Sequence, residues 1–208
     1  VKASDFEEFS ASFDLHNLSH RALLKVLIPR WLEESEGDLD ERISNAAYGE
    51  TPKELQDMIL DLFSLTTTDR FLDLGAGAGG FVARLLSLGI SAYGIEQNPA
   101  LVQTGQHFLE QNGNPACHLI EGDFLSHPWP EATVAYAASA RFSEAVLEQL
   151  AGRIDRHQTL RAMACLGKPL PLSSHWQLVH TSRHQVCWNR GESPLPEILF
   201  GWLREPPG

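Results

Sequence analysis

Apolar residues in the first part of the chain recur at helical spacing. Phe9, Phe13, Leu18, Leu23, Leu24, Leu27, Ile28 and Leu32 predict one or two amphipathic helices within residues 6–34. The acidic stretch from Glu33 to Glu41, interrupted by Gly37, reads as a solvated loop or helix end. Thr51-Pro52-Lys53-Glu54 then resembles a helix start, with a capping hydroxyl, proline at the first helical position and an acid soon after. Leu55, Met58, Ile59, Leu62 and Phe63 continue its apolar stripe, and Thr66 to Asp69 ends it.

From Arg70 the period changes. Phe71 to Leu74 predicts a short strand running into glycines, and Phe81 onward a helix. Ser91 to Glu96 predicts a second strand, Pro99 to Gln111 a second helix, and Cys117 to Asp123 a third strand. Thr133 to Ala138 makes a fourth, followed by a helix from Ser143 to Ile154. Strands and helices alternating at this spacing imply parallel βαβ units with helices on both faces of the sheet, an α/β fold. Trp176 to Thr181 and Gln185 to Trp188 flank polar residues, and Ile198 to Trp202 follows. These segments lack intervening helices, so the sheet is expected to finish with an antiparallel pair.

A length of 208 residues suits one sizeable core and is short for two. No apolar run reaches the roughly 18 residues of a membrane span, and Val1 to Phe9 does not read as a signal peptide. Cys117, Cys165 and Cys187 are odd in number and widely spaced, which fits free thiols in a reducing cytoplasm. Charge divides unevenly. Residues 1–140 hold 21 acids against 8 bases, a balance of −13, whereas residues 141–208 hold 8 bases against 6 acids, a balance of +2. An acidic body disfavours non-specific nucleic-acid binding and favours a cationic partner such as a lysine side chain or a small amine.

The candidate chemistry centres on Gly75-Ala-Gly77-Ala-Gly79-Gly80, between a strand and a helix. Glycines there let a ligand approach the backbone, and the helix start offers free N–H groups. Residues 75, 77 and 80 also satisfy the dinucleotide pattern GxGxxG, so the spacing alone leaves a nicotinamide cofactor open. Asp73 argues against it. A carboxylate two residues before the first glycine would repel a pyrophosphate, but suits the ammonium in the methionine part of S-adenosylmethionine. Glu96, ending the second strand, is placed to bond ribose hydroxyls. Asp123 after the third strand is placed to accept from an adenine amino group while Phe124 packs on the ring. Three acids at three successive strand ends converge on one crevice.

With these residues in place, the segment from about 48 to 202 resembles the class I, seven-strand S-adenosylmethionine-dependent methyltransferases, and within them the non-SET histone-lysine type found in the disruptor of telomeric silencing. The likeness runs through Tyr48-Gly-Glu-Thr51, Asp73-Leu-Gly-Ala-Gly77, Tyr93-Gly-Ile-Glu96, Gly122-Asp-Phe-Leu-Ser126 with Trp129, Gly167-Lys-Pro169 and Val186-Cys-Trp188. Glu96-Gln-Asn-Pro99 is also similar to lysine methyltransferases acting on an ATP synthase membrane subunit. The resemblance implies a Rossmann-like seven-stranded sheet and S-adenosylmethionine as cofactor. It implies a site lined by Tyr48, Thr51, Asp73, Gly75, Gly77, Gly79, Glu96, Gln97, Asp123 and Phe124, with Gln97 at the adenine edge. Residues 1–47 would form an N-terminal helical extension or lid on a methyltransferase domain of residues 48–208. Certain acceptor signatures are missing: Ala138-Ser139 replaces paired asparagines, no (N/D)PP(Y/F) motif occurs, and a late tyrosine is replaced around Ile198-Leu199.

Methyl transfer from a sulfonium needs alignment above all, so no catalytic acid or base is assigned. Ser139, Arg141, Phe142 and Trp188 are expected to line the acceptor pocket, with Trp129 and Pro169 as further candidates for its walls. His175, His180 and His184 are not read as metal ligands. In a hairpin, the separation of His180 from His184 is taken to give no common face.

Overall fold

A computed structural model describes residues 50–186 and 194–205. The expected helices within residues 6–34, the acidic stretch, Tyr48, Cys187 and Trp188 fall outside those residues. The described chain forms one seven-stranded sheet in the order β3-β2-β1-β4-β5-β7-β6. The strands are β1 (Arg70–Leu74), β2 (Ser91–Glu96), β3 (Leu119–Glu121), β4 (Val134–Ala138), β5 (Ala162–Leu166), β6 (Trp176–Val186) and β7 (Leu195–Arg204). The first five run parallel, and β7 lies antiparallel between β5 and β6. Helices α1 (Lys53–Leu62), α2 (Gly80–Ser87), α3 (Pro99–Gln111) and α4 (Glu144–Arg156) complete the described elements, with a 3-10 turn at Ala116–His118.

The central strands are apolar on both faces because helices cover both. On one face Phe71, Val134, Ala162 and Leu199 pack with Leu55, Ile59, Phe81, Val82 and Leu85 of α1 and α2. On the other, Leu72, Ala135, Met163 and Trp202 pack with Leu147, Leu150 and Ile154 of α4. Strand order reverses between β1 and β4, so a crevice opens at their carboxyl ends.

Four local expectations differ from the fold. The sequence pattern does not reveal β5, Ala162-Met-Ala-Cys-Leu166; buried throughout, it carries no polar alternation. The third strand is shorter than Cys117 to Asp123, because Pro115 opens a 3-10 turn before it and Gly122-Asp123 has already turned away. Strand β6 is continuous where two pieces flanking polar residues were expected. Among the described residues it is the sheet's terminal strand, and its inward positions 180, 182 and 184 are polar but half-buried. Finally, the Thr51 hydroxyl does not cap α1. Pro52 is the N-cap residue, with no side-chain cap, and Thr51 bonds Tyr136 instead.

Candidate functional site

Strand β1 delivers Asp73 and then turns. The N–H groups of Gly75 and Ala76 donate to the Ile95 carbonyl at 2.9 and 3.1 Å, folding the loop over the end of β2. Gly75 has φ +86°, and among the described residues a Cβ built there would meet no atom within 4 Å, which leaves room beside this backbone. Gly77, at φ +57°, donates its N–H to Glu96 Oε2 at 2.9 Å. Gly79 is the N-cap residue of α2, and nothing from its side caps the helix. The Glu50 carboxylate lies near that helix start, its Oε1 3.2 Å from where a Gly80 Cβ would sit.

Asp73 is 5% exposed, and among the described residues no hydrogen-bond donor reaches it. Burial, and then the charge of Glu96, pushes its carboxyl up to about 7. A buried carboxylate without a donor is costly unless a cation arrives to pair with it. Glu96 behaves differently. Burial raises its pKa, while the backbone N–H groups of Asn98, Gly77 and Gln97 oppose the rise. A carboxylate offers about four acceptor directions, so accepting these bonds leaves capacity for ribose hydroxyls. The Gly122 N–H donates to the Glu96 carbonyl at 2.9 Å, which ties the end of β3 to the end of β2.

Asp123 is exposed at that junction. Its Oδ1 accepts from Leu125 N–H at 2.8 Å, and the Ser126 hydroxyl lies 3.3 Å from Oδ2. Phe124 stands against Phe142 with ring centroids 5.3 Å apart. The residue expected on the adenine and the residue expected at the acceptor therefore touch. Gln97 is exposed beside Glu96.

The acceptor-side residues separate into two groups. Arg141 is exposed and Phe142 half-buried, both on the turn after β4. Ser139 is fully buried: its hydroxyl donates to the Lys168 carbonyl at 2.7 Å and accepts the Lys168 N–H at 3.1 Å. That side chain clasps the loop after β5 to the end of β4. Trp129 is held by its own contacts, its indole donating to the Phe124 carbonyl at 2.8 Å and the Arg153 guanidinium lying 4.7 Å above the ring. Pro169 is exposed.

Tyr136 was missed as a site residue because it lies within an apolar run. It pairs with Asp73 across β1 and β4, so both side chains point to one face. Its ring meets Phe81 edge-on at 5.7 Å, and its hydroxyl hydrogen-bonds Thr51 Oγ1 at 2.7 Å. Gln56 then donates to the Thr51 carbonyl at 2.9 Å, so the segment entering α1 is fastened beside Asp73. Burial pushes the Tyr136 phenol up; the Thr51 bond opposes that, and the negative charges of Asp73 and Glu197 add to it. Tyr136→Phe is expected to lower stability by about 1–2 kcal/mol, since the half-buried Thr51 hydroxyl loses its partner. S-adenosylmethionine affinity should fall several-fold in titration calorimetry. Unchanged affinity would show that the Thr51 segment does not shape the cofactor site.

His180 and His184 are expected to have no common face. Residues 180 and 184 do share a face, because β6 is a strand and its period of two puts 180, 182 and 184 on one side. Ser182 Oγ lies 2.7 Å from Nε2 of each histidine. Among the described residues no group of three or more His, Cys, Asp or Glu side chains is placed to hold a metal.

Residues 72–169 match a family model described as a methyltransferase domain. An uncharacterized methyltransferase of Bacillus subtilis, YrrT, is 32% identical over 74 residues, which is 36% of this chain and 33% of that protein. The match thus spans about a third of that relative's length. In structure the chain is similar to an RNA methyltransferase from Salinibacter ruber in complex with S-adenosyl-L-homocysteine, with TM-score 0.56, 23% identity, and coverage of 75% of this chain and 94% of that one. It is also similar to a putative RNA methyltransferase from Pyrococcus horikoshii, with TM-score 0.61, 13% identity, and coverage of 88% and 99%. At those identities the structural likenesses bear on the fold. With the glycine turn and the buried Asp73, the family match makes residues 72–169 a methyltransferase domain of the S-adenosylmethionine-dependent class. The nicotinamide alternative falls with that match. The narrower likeness to histone-lysine enzymes finds no support in these relatives.

Proposed function

We propose that this domain transfers a methyl group from S-adenosylmethionine to an amine nitrogen, that of a protein lysine or a small amine. The carrying observation is the placement of acids on either side of Tyr136. Asp73 on β1 and Glu197 on β7 lie to either side of it along the sheet, on the same face. Asp73 would pair with the methionine ammonium, Glu96 with the ribose and Asp123 with the adenine amino group. Phe124 and Phe142 would form the apolar junction between donor and acceptor. The cofactor supplies a methyl group activated by its sulfonium. Alignment by the surrounding residues can contribute about 7–11 kcal/mol to such an in-line displacement. A lysine amine has a reference pKa near 10.4, so only about one in a thousand is neutral at pH 7.4, and the site must favour that form. Acids guide the ammonium in, and Phe142 offers an apolar surface against which it loses water.

Tritiated methyl transfer into fractionated lysate tests this reading, with label expected in protein or small-amine fractions. An RNA acceptor is the second reading, favoured by the exposed Arg141 and Lys168 after β4 and β5 and by the fold likeness to RNA methyltransferases. Label confined to RNA would replace the first reading by the second. Tight S-adenosylmethionine binding with no label in any fraction would make the domain a silent cofactor-binding module.

A further inference from the structure

The stretch between β3 and β4 forms neither helix nor strand, yet it carries Asp123 and Phe124. Its own bonds are short-range. The Asp123 carbonyl accepts from the Ser126 and His127 N–H groups at 3.0 and 2.7 Å, and Asp123 Oδ1 accepts from the Leu125 N–H at 2.8 Å. These bonds set where the Asp123 carboxylate stands, but they use none of the carbonyls of Phe124, Leu125 and His127. Backbone carbonyls drawn away from water need donors, and a loop without ladder bonds must find them outside itself. Arg153 of α4 supplies two of the three. Its guanidinium donates to the Leu125 carbonyl and, at 2.8 Å, to the His127 carbonyl. The same group lies 4.7 Å over the Trp129 ring, and the Trp129 indole donates to the third carbonyl, that of Phe124, at 2.8 Å. One half-buried side chain on another element thus holds the loop at two carbonyls directly and at a third through Trp129. Its influence also extends to the ribose side. A Cβ on Gly122 would come within 2.9 Å of the His127 imidazole, so that ring packs on Gly122, whose N–H donates to the Glu96 carbonyl.

Arg204 provides an internal comparison. Its guanidinium donates to the Asp155 and His157 carbonyls and lies 5.1 Å over the Trp176 ring, the same arrangement at another place. Its neighbour Leu203 pairs with Ala162, the first residue of β5, and the Arg204 N–H donates to the Arg161 carbonyl. Arg204 therefore stands at the amino ends of the parallel strands, opposite the crevice. Two arginines make the same kind of clamp, and one of them clamps the loop that bears Asp123.

We propose that Arg153 is a positioning residue for adenine recognition, holding the Asp123 turn so that its carboxylate meets the adenine amino group. This rests on the adenine assignment of Asp123 given under Proposed function. Leu125 is the pivot, because its N–H fixes Asp123 Oδ1 while its carbonyl is bonded to Arg153. Adenine presents an exocyclic amino donor, which a carboxylate accepts. Hypoxanthine presents a carbonyl oxygen at the same place, whose lone pairs face those of the carboxylate. Hydrogen bonds weaken steeply as their angle departs from linear, so a turn released from Arg153 loses this distinction before it loses the ligand. The planar fork of the guanidinium matters here, because an ammonium is a point charge and does not fix two carbonyls in set directions.

Titration calorimetry of the full chain with S-adenosylhomocysteine and with its hypoxanthine counterpart, S-inosylhomocysteine, tests this. The parent protein should prefer the adenine form by about 10–100-fold, the span of one charged hydrogen bond. Arg153→Met should reduce that preference to about threefold or less, chiefly by lowering affinity for the adenine form. Arg204→Met should lower the melting temperature and leave the preference at its parental value. Lysine at either position, which keeps the charge but not the fork, gives a milder pair expected to divide in the same way. In an Asp123→Ala background, Arg153→Met should change the preference no further, because the arginine acts through that carboxylate. An Arg153→Met or Arg153→Lys protein that keeps the parental preference, whatever its affinity, would overturn the proposal and leave Arg153 a packing residue like Arg204. A further loss of preference in the Asp123→Ala background would overturn the route through Asp123. Equal binding of the two ligands by the parent protein would strike the adenine assignment itself, and the proposal with it.

Discussion

Asp73→Asn is expected to weaken S-adenosylmethionine binding by on the order of 100-fold, and to remove the pH dependence of what binding remains. A hydrogen bond to a charged partner contributes about 1.5–3 kcal/mol, and among the described residues this buried carboxylate has no donor to fall back on. The sign of the pH effect follows from burial. With its carboxyl pushed up to about 7, largely by burial and then by the charge of Glu96, Asp73 is substantially protonated in the free protein at neutrality. Pairing with an ammonium requires the carboxylate, so binding below pH 7 must expel a proton. Affinity in the parent protein should therefore fall as pH drops from 8 to 6, and that of the asparagine variant should stay flat. Stability moves the other way. A carboxyl with a higher pKa folded than unfolded costs nothing below its ordinary 3.8, and destabilises increasingly as pH rises through 7. The ligand-free variant should accordingly melt above the parent protein at pH 8, with the difference gone by pH 4. Calorimetry at three pH values, paired with thermal melts, checks both halves. A flat parental affinity would mean that Asp73 does not meet the ammonium.

Asp73 was legible in the sequence because its signal is local: an acid inside an apolar run, two residues before glycines. The signal of Glu96 is local as well, since it closes β2, and Asp123 follows in the turn two residues past β3. What escaped was whatever depended on a partner distant in sequence. Tyr136 reads as one more core aromatic, and only its pairing with Asp73 and its bond to Thr51, 85 residues away, give it a place at the site. Ser139 was read as pocket lining from its position after β4. Nothing local shows that its hydroxyl closes on Lys168, 29 residues on.

The strand errors have a different cause. Strand β5 is invisible to periodicity because a strand buried on both faces has none. The expected strand pieces stop at Thr181 and resume at Gln185 because half-buried Ser182 and His184 satisfy each other rather than an apolar neighbour. Judging the spacing of His180 and His184 by the helix period hid their common face, which the strand period of two makes plain. The same contrast applies to the acceptor. The residues proposed for the cofactor fall on the turns after β1, β2 and β3, where sequence and structure are tightly coupled. Those proposed for the acceptor fall on the loops after β4 and β5, where pairings across the sheet decide what faces the crevice.

Gly105→Ala tests how far helix packing fixes the cofactor turn. By helix propensity alone the substitution should stabilise α3 by about 1 kcal/mol. Space predicts the reverse. A Cβ at residue 105 would lie 2.4 Å from the Leu119 side chain and 2.5 Å from the Ala78 carbonyl oxygen. Leu119 has little freedom to yield, because it is fully buried and a Cβ on Gly94 would already come within 2.8 Å of it. Ala78 is backbone of the glycine turn itself, so relief on that side displaces the loop that Gly75 and Gly77 form. Overpacking of this kind costs about 3 kcal/mol, which outweighs the propensity gain. The melting temperature should drop by roughly 4–8 °C at a net loss of about 2 kcal/mol. S-adenosylmethionine affinity should fall in parallel, since the displaced atoms adjoin the bond from Gly77 to Glu96. A variant melting at or above the parent protein would show that propensity prevails and that α3 can retreat without disturbing the turn. A lower melting temperature with unchanged affinity would separate the packing of α3 from the shape of the cofactor site.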